Sequence, residues 1–329
     1  MTVFDLGSFN YYYNAMDRLS VSQWEREPQA VEFLRAHPGY RMVSLFAGQD
    51  FELGQMNAGG WQNDLSWVFD NRELLPPNYG LLYGFDSFEH YSPLSLRLSD
   101  SYRNTAFSRL ISSAIRPAGQ QFTQYALSDQ AVALLAQANV KYILTYERLQ
   151  APSIVEAAHF TSPYSRRTLR VYEISSTVPR VYFPHVVAAA TDEAASREGL
   201  FKNFEPKDAV IEASLPSQNY ATGTVEIIAH ENGRIRVKTD HTVDAPLVFN
   251  EAWHPGWEAA IDGSPADIFH ANLAFQAVNV PKGAHVVEFG FRPKSFKWGS
   301  IFSTTGWGIL LLVYLFQKLQ KRYGNAIKK

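Results

Sequence analysis

The sequence predicts an α+β protein: an N-terminal α/β layer domain, then an antiparallel β-sandwich, then one C-terminal transmembrane helix. Three observations carry that prediction. Helix-then-strand patterns recur through the first part of the chain. Short strands separated by tight turns follow after about Lys207. The run Trp298–Phe316 contains no charged residue. Length agrees, since at roughly 100–200 residues per domain a chain of 329 residues holds two or three domains. With 46% hydrophobic and 19% charged residues, it fits a globular protein with a sizeable core, not a disordered chain or a many-helix membrane protein.

Residues 1–22 are rich in Tyr, Phe and Asn without a clear period, and read as a lead-in from an upstream membrane region. The α/β domain is expected over 23–206. Glu27–His37 has helical spacing, with Pro28 near its start and Pro38-Gly39 as a stop. Tyr40–Phe46 follows as a strand. The order then repeats. Ser128 is placed to cap Asp129–Ala138, whose Val132, Leu134 and Leu135 form an apolar face, Asn139 closes the helix, and Val140–Thr145 is a strong strand. Leu169–Ile174 and Val181–Ala188 read as further strands. Thr191-Asp-Glu opens a helix running to about Phe204, its acidic first turn suiting the helix dipole.

Residues 207–293 change character. Ala209–Ala213, Gly223–His230 and Arg234–Thr239 alternate in part, with Val225, Ile227 and Ala229 on one face and Ile235 and Val237 on another. Glu231-Asn-Gly233 predicts a hairpin with positive φ at both central residues. Asp262-Gly263 predicts the same between Trp257–Ile261 and Ala266–His270, and Pro281-Lys-Gly283 turns the chain into His285–Phe291. About eight strands in so short a stretch argue for a sandwich.

Trp298–Phe316 is long enough for a hydrocarbon core about 30 Å thick at about 1.5 Å rise per residue. Trp298 marks one interface, and Tyr314 and Tyr323 lie towards the other. Five basic residues follow in the 317–329 tail (Lys318, Lys321, Arg322, Lys328, Lys329), against three before the run (Arg292, Lys294, Lys297). The positive-inside bias therefore puts the tail in the cytoplasm and the globular part outside. Ser300, Ser303, Thr304, Thr305 and three glycines suit packing against neighbouring helices. The first residues lack the basic and apolar regions of a signal peptide. The chain is then either the C-terminal piece of a longer membrane protein or tail-anchored, and the first is the expectation.

Function classes narrow by elimination. A net charge of −2 gives no basic field for nucleic acid. With no cysteine, disulfides, thiolate metal sites and cysteine nucleophiles are excluded. The nine histidines have no metal-binding spacing. No phosphate loop, nucleophile elbow or zinc-protease motif occurs, so no metal, cofactor or catalytic residue is expected. Two clusters stand out. Asn78–Leu94 is rich in Gly and Tyr. It reads either as a structured loop or as a polar site in which Tyr83, Asp86 and Tyr91 surround a hydroxyl-rich ligand. Glu251-Ala-Trp-His-Pro-Gly-Trp257 reads either as an inter-strand turn with Trp257 in the core, or as a surface where Trp253 and His254 meet sugar or lipid headgroups.

The order of these pieces resembles the C-terminal extracytoplasmic region of the YfhO-like bacterial membrane protein family. The matching stretches are Gly80–Ser87 with Tyr91–Leu94, Leu134–Thr145, Pro179–Tyr182, and, most specifically, Trp253–Gly263 continuing through Asn272 and Val280–Gly283 to Phe291–Pro293. The resemblance implies a polytopic protein similar to GT-C-type glycosyltransferases, which use lipid-linked sugars outside the cytoplasmic membrane. In such enzymes the catalytic carboxylate lies among N-terminal helices that this sequence does not contain. The expectation is an accessory region that positions a lipid-linked sugar or a cell-envelope polymer acceptor, with polytopic membrane helices as partners. The alternative is a non-catalytic structural module that docks onto a membrane complex.

Overall fold

The computed structural model describes residues 22, 25–48, 66–90, 95–116, 118, 123–200, 205–213, 219–220 and 222–326, with side chains described as far as Lys318. Nearly all of the lead-in segment lies outside them; the helix opened at Thr191, expected to run to about Phe204, ends at Gly199.

The N-terminal half is built on a mixed four-stranded sheet. Helix α1 (Ala30–Arg35) leads into β1 (Arg41–Ser44), and α2 (Ser66–Glu73) and a 3₁₀ turn (Tyr79–Tyr83) follow. Next come α3 (Arg97–Ser108), β2 (Ile111–Ile115), β3 (Gln124–Leu127), α4 (Asp129–Gln137), β4 (Val140–Thr145), β5 (Arg148–Gln150), β6 (Ile154–Thr161) and β7 (Thr168–Ile174). The sheet order is β1-β4-β7-β6, with β1 parallel to β4 and the other pairs antiparallel. Strands β2, β3 and β5 form a small separate sheet. Side-chain alternation splits β1 and β4 between two cores. Val43 and Ile143 pack with Leu134 and Leu135 of α4. Met42, Tyr142 and Leu144 pack with Ala30, Val31 and Leu34 of α1. Both faces are covered, which is why Val140–Thr145 reads as a nearly unbroken apolar run.

The second half begins with β8 (Val181–Tyr182), β9 (Val187–Ala189) and α5 (Glu193–Gly199), then β10 (Ala209–Ile211), β11 (Thr224–Glu231), β12 (Arg234–His241), β13 (Ala245–Phe249), β14 (Trp257–Ile261), β15 (Ser264–Ala266), β16 (Phe269–Ala271), β17 (Phe275–Val280) and β18 (Gly283–Phe291). One sheet runs β8-β13-β17-β16-β10-β9 and the other β11-β12-β18-β14-β15. Leu247, Phe249 and Val278 from the first face Ile235, Val237, Val287 and Phe289 from the second across a shared core. Phe249 and Phe289 meet with ring centroids 4.9 Å apart. The stretch expected as one strand, Val181–Ala188, is two short strands, since Pro184 interrupts it. Both join the sandwich sheet.

Local signals are honoured unevenly. Asn139 takes left-handed backbone at φ 65° after α4, as expected of a helix-closing Asn. Its Nδ2 donates to Val178 O at 2.9 Å. Ser128 occupies the N-cap position, but its hydroxyl makes no capping bond. The working N-cap is Asp192, whose Oδ1 accepts from Ala195 N at 2.8 Å. Asp262 and Gly263 both have positive φ, as expected, whereas at Asn232-Gly233 only the glycine does. The β11–β12 register shifts between Ile227 and Ala229. That bulge breaks the expected shared face and leaves Ile227 and Ile228 about half exposed.

Helix α6 (Lys294–Ala326) follows the sandwich directly. Its stretch Lys294–Lys318 is long and apolar enough to cross a membrane, and none of it is buried within the chain. The fold is thus α+β with a C-terminal apolar helix, as the sequence predicts.

Two outcomes follow. Asn139→Ala is expected to cost about 2 kcal/mol in denaturant melts, because it loses the side-chain bond and with it the polar side chain that makes left-handed backbone tolerable for Asn. Asn139→Gly, which keeps the backbone geometry, is expected to cost clearly less. The second outcome concerns the Asp262 turn, where His285 Nδ1 lies 2.6 Å from Asp262 Oδ2. That bond raises the imidazole and lowers the carboxyl. A raised imidazole stabilises below its ordinary value of 6.5 and stops doing so as pH rises through its folded value. A lowered carboxyl stabilises above its ordinary 3.8. His285→Gln is therefore expected to lower the Tm near about pH 5 and to leave it almost unchanged near about pH 9.

Candidate functional site

Segments far apart in sequence enclose one cleft of about 690 Å³. Its first wall is Tyr83-Gly84-Phe85-Asp86. This segment is held in place by backbone bonds on the edge of β1: Met42 N donates to Asp86 O at 3.0 Å, and Phe88 N to Met42 O at 2.8 Å. The turn before it needs two glycines. Gly84 sits at φ 80°, and a β-carbon on Gly80 would come within 2.9 Å of Phe85 O. Tyr83 is oriented by Arg72, whose Nη2 donates to its hydroxyl at 3.0 Å.

The second wall comes from the sandwich. It comprises the tip of the β11–β12 hairpin, with His230, and the segment from Glu251 to Trp257, closed by Phe291 at the end of β18. His254 Nδ1 accepts the Gly256 N–H at 2.9 Å. That fixes the neutral tautomer with its proton on Nε2, a donor. The His254 ring stands edge-on to Phe291, with centroids 5.2 Å apart. Trp257 packs against Phe249 and Phe291, at 5.6 and 5.3 Å between ring centroids.

Four charges join the walls. Arg180, on the residue before β8, is only 5% exposed. Its Nη2 pairs with Asp86, and its Nη1 donates to Glu251 Oε2 at 3.1 Å. Glu251 also takes Arg41 Nη2 at 3.1 Å. Arg41 Nη1 donates to two backbone carbonyls, Ala138 O at 2.9 Å and Asn250 O at 2.7 Å. Burial pushes Arg180 down from its ordinary value, Arg41 adds to that, and Glu251 opposes it. The guanidinium stays charged at neutral pH. His230, which also lines the cleft, is lowered by burial and then by Arg180.

The structure therefore brings Tyr83, Asp86 and His254 to one cleft. Trp253 lies beside it, on a neighbouring hollow of about 680 Å³ that shares His254 and Trp257. Its ring packs at a tilt against His270, with centroids 4.2 Å apart. Tyr91 lies outside the described residues. Sequence reasoning missed Arg41, Arg180 and His230, and took Glu251 only as the edge of a turn. A signal for Arg180 and Arg41 was present: each is a lone arginine entering an apolar strand. A buried arginine requires a carboxylate, but nothing local says which one.

The arrangement suits binding better than bond-making. Asp86 and Glu251 are both already engaged by arginine, as ion-paired hydrogen-bond acceptors. Glu89, pushed up to about 7 by burial, is not among the residues lining the cleft. Among the described residues no group of three or more His, Asp or Glu is placed to hold a metal ion.

Fold and site together define an α+β region with a two-walled polar and aromatic cleft beside a helix of membrane-crossing length. Residues 217–303 match the family model described as bacterial membrane protein YfhO. Over this stretch, which covers β11 to β18 and the start of α6, the chain is YfhO-like. No curated protein and no solved structure matches the chain.

The charge cluster sets an asymmetric expectation. Arg180→Ala empties the buried position at the junction and removes one of the two arginines from Glu251, and is expected to cost about 3 kcal/mol. Asp86 has a side chain 48% exposed, and Asp86→Asn is expected to cost less than about 1 kcal/mol. Paired denaturant melts measure both.

Proposed function

We propose that the cleft is a saccharide-binding site held at a membrane surface, in an accessory region of a glycosyltransferase-like membrane protein. Its ligand on this reading is a lipid-linked sugar or a cell-envelope polymer acceptor, met on the extracytoplasmic side, with the basic tail in the cytoplasm.

One observation carries the reading: the cleft ends at the membrane anchor. Phe291 lines it, and α6 begins at Lys294. Gly256 packs so tightly there that a β-carbon would meet His254 Nδ1, Phe291 Cε2 and Pro293 Cα at 3.0, 3.0 and 3.1 Å. The lining chemistry also supports it. Tyr83, Asp86, His254 and Glu251 offer hydroxyl, carboxylate and imidazole partners, while Phe85, Trp257 and Phe291 offer ring faces and edges. Sugars combine both demands, hydroxyls at the rim and apolar C–H faces. A site tethered three residues from a membrane helix meets lipid-borne ligands at high effective concentration.

Helix α6 favours a second reading, in which the chain docks onto partner membrane helices and binds no sugar. A β-carbon on Gly299, Gly306 or Gly308 would meet open space. Ser300 and Thr304 return their hydroxyls to their own helix, at 2.8 Å to Phe296 O and 2.7 Å to Ser300 O. These are features of a surface that can accept another helix closely.

The test is titration of the full chain in nanodiscs with envelope-derived oligosaccharides, followed by calorimetry. Binding in the millimolar range or tighter is expected, and His254→Ala is expected to weaken it about fivefold by removing one hydrogen bond. Trp253→Ala, outside the cleft, is expected to leave it unchanged. Absence of binding up to about 10 mM, at which a favourable contribution of only about 3 kcal/mol would be detected, leaves the docking reading in its place.

A further inference from the structure

Within the Arg180 cluster the two carboxylates are held very differently. Glu251 Oε2 bridges both arginines, and Arg41 is itself fixed to Ala138 O and Asn250 O. Removing Glu251 would undo the junction. Asp86 has only Arg180 as a side-chain partner among the described residues, and its side chain is 48% exposed at the cleft. Arg180 itself is 5% exposed and lines the same cleft.

We propose that Asp86 is a displaceable internal counter-ion, and that the cleft selects a saccharide carrying one negative group, which takes the place of the Asp86 carboxylate on Arg180. This rests on the saccharide reading above and specifies its ligand class. In the exchange Arg180 trades one anionic partner for another, and the released Asp86 carboxylate, already half exposed, passes to solvent at the cleft. An arginine fork matches a carboxylate or a phosphate equally well, so either group satisfies the geometry. Arg180 is also left short of compensation where it sits, because burial and neighbouring Arg41 both act against its charge. His230 lines the same cleft, its imidazole lowered by burial and by Arg180. The swing needed is small, because the Asp86 backbone stays pinned to Met42 N at 3.0 Å while its side chain turns outward.

The full chain in nanodiscs is titrated with glucose, glucose 1-phosphate and glucuronate, read by saturation-transfer NMR. The expected result is that at least one anionic sugar binds about tenfold more tightly than glucose, from one added charge-assisted hydrogen-bonded pair. Comparison of the phosphate and carboxylate arms then assigns the group. The decisive variant is Asp86→Asn, which does not threaten the fold. It is expected to tighten the anionic sugar about threefold or more by removing the competitor, so that its affinity relative to glucose rises. Arg180→Gln is expected to abolish the preference for charge. If Asp86→Asn weakens all three sugars alike, Asp86 is a direct hydroxyl ligand; the exchange is then overturned while the saccharide reading stands. If glucose binds as well as both anions, the exchange is likewise overturned. If none of the three binds, both readings fall.

Discussion

The structure depends on how one buried guanidinium is neutralised. Arg180 leaves the α/β half just before β8 and cannot sit 5% exposed without carboxylates at hand. It finds one in Asp86, on the loop beside β1, and one in Glu251, at the end of β13. Arg41, at the start of β1, shares Glu251. A single carboxylate thus fixes where the mixed sheet meets the sandwich. Apolar contacts complete the junction: Phe275 of β17 packs on Tyr102 of α3 at 5.0 Å and belongs to the core built around α4. Dispersion and hydrophobic burial hold the halves together, and the charges select their register. The cleft is the space left between the two walls that this cluster spaces apart.

The location of that space relative to the membrane follows from chain connectivity. Strand β18 lies at the middle of its sheet, hydrogen-bonded on both sides by β12 and β14. A central strand is the stiffest place from which to launch a helix. Arg292 N still donates to Gly256 O at 2.6 Å, so the backbone is held until two residues before α6 starts. On the proposed reading this short coupling matters more than any single ring in the cleft, because it fixes the height of the site above the lipid.

Much of this was legible in the sequence where the determinant was local. Val140–Thr145 was bounded correctly because both of its faces are covered and Asn139 must adopt left-handed backbone before it. The Asp262-Gly263 turn and the uncharged run of α6 were equally plain. Local reading failed where a distant partner decides. Ser128 holds the N-cap position but makes no side-chain bond there, while the register slip near Ile228 depends on how β11 lies along β12. Strands β8 and β9 read with the first half but pair with β13 and β10. The site behaved in the same way. Tyr83, Asp86 and His254 were identifiable by residue type in two unusual clusters. That the clusters share one cleft was not, since Arg180 reaches 94 residues back to Asp86 and 71 forward to Glu251.

The central claim is that both walls act as one ligand site beside the membrane. Hydrogen exchange on the full chain in nanodiscs, with and without a binding saccharide, tests it most directly. The account expects simultaneous protection of the peptides covering 80–88 and 251–257, with the β14–β15 hairpin tip at 262–263 unchanged. Protection confined to one wall, or none at either while the ligand is bound, would contradict it.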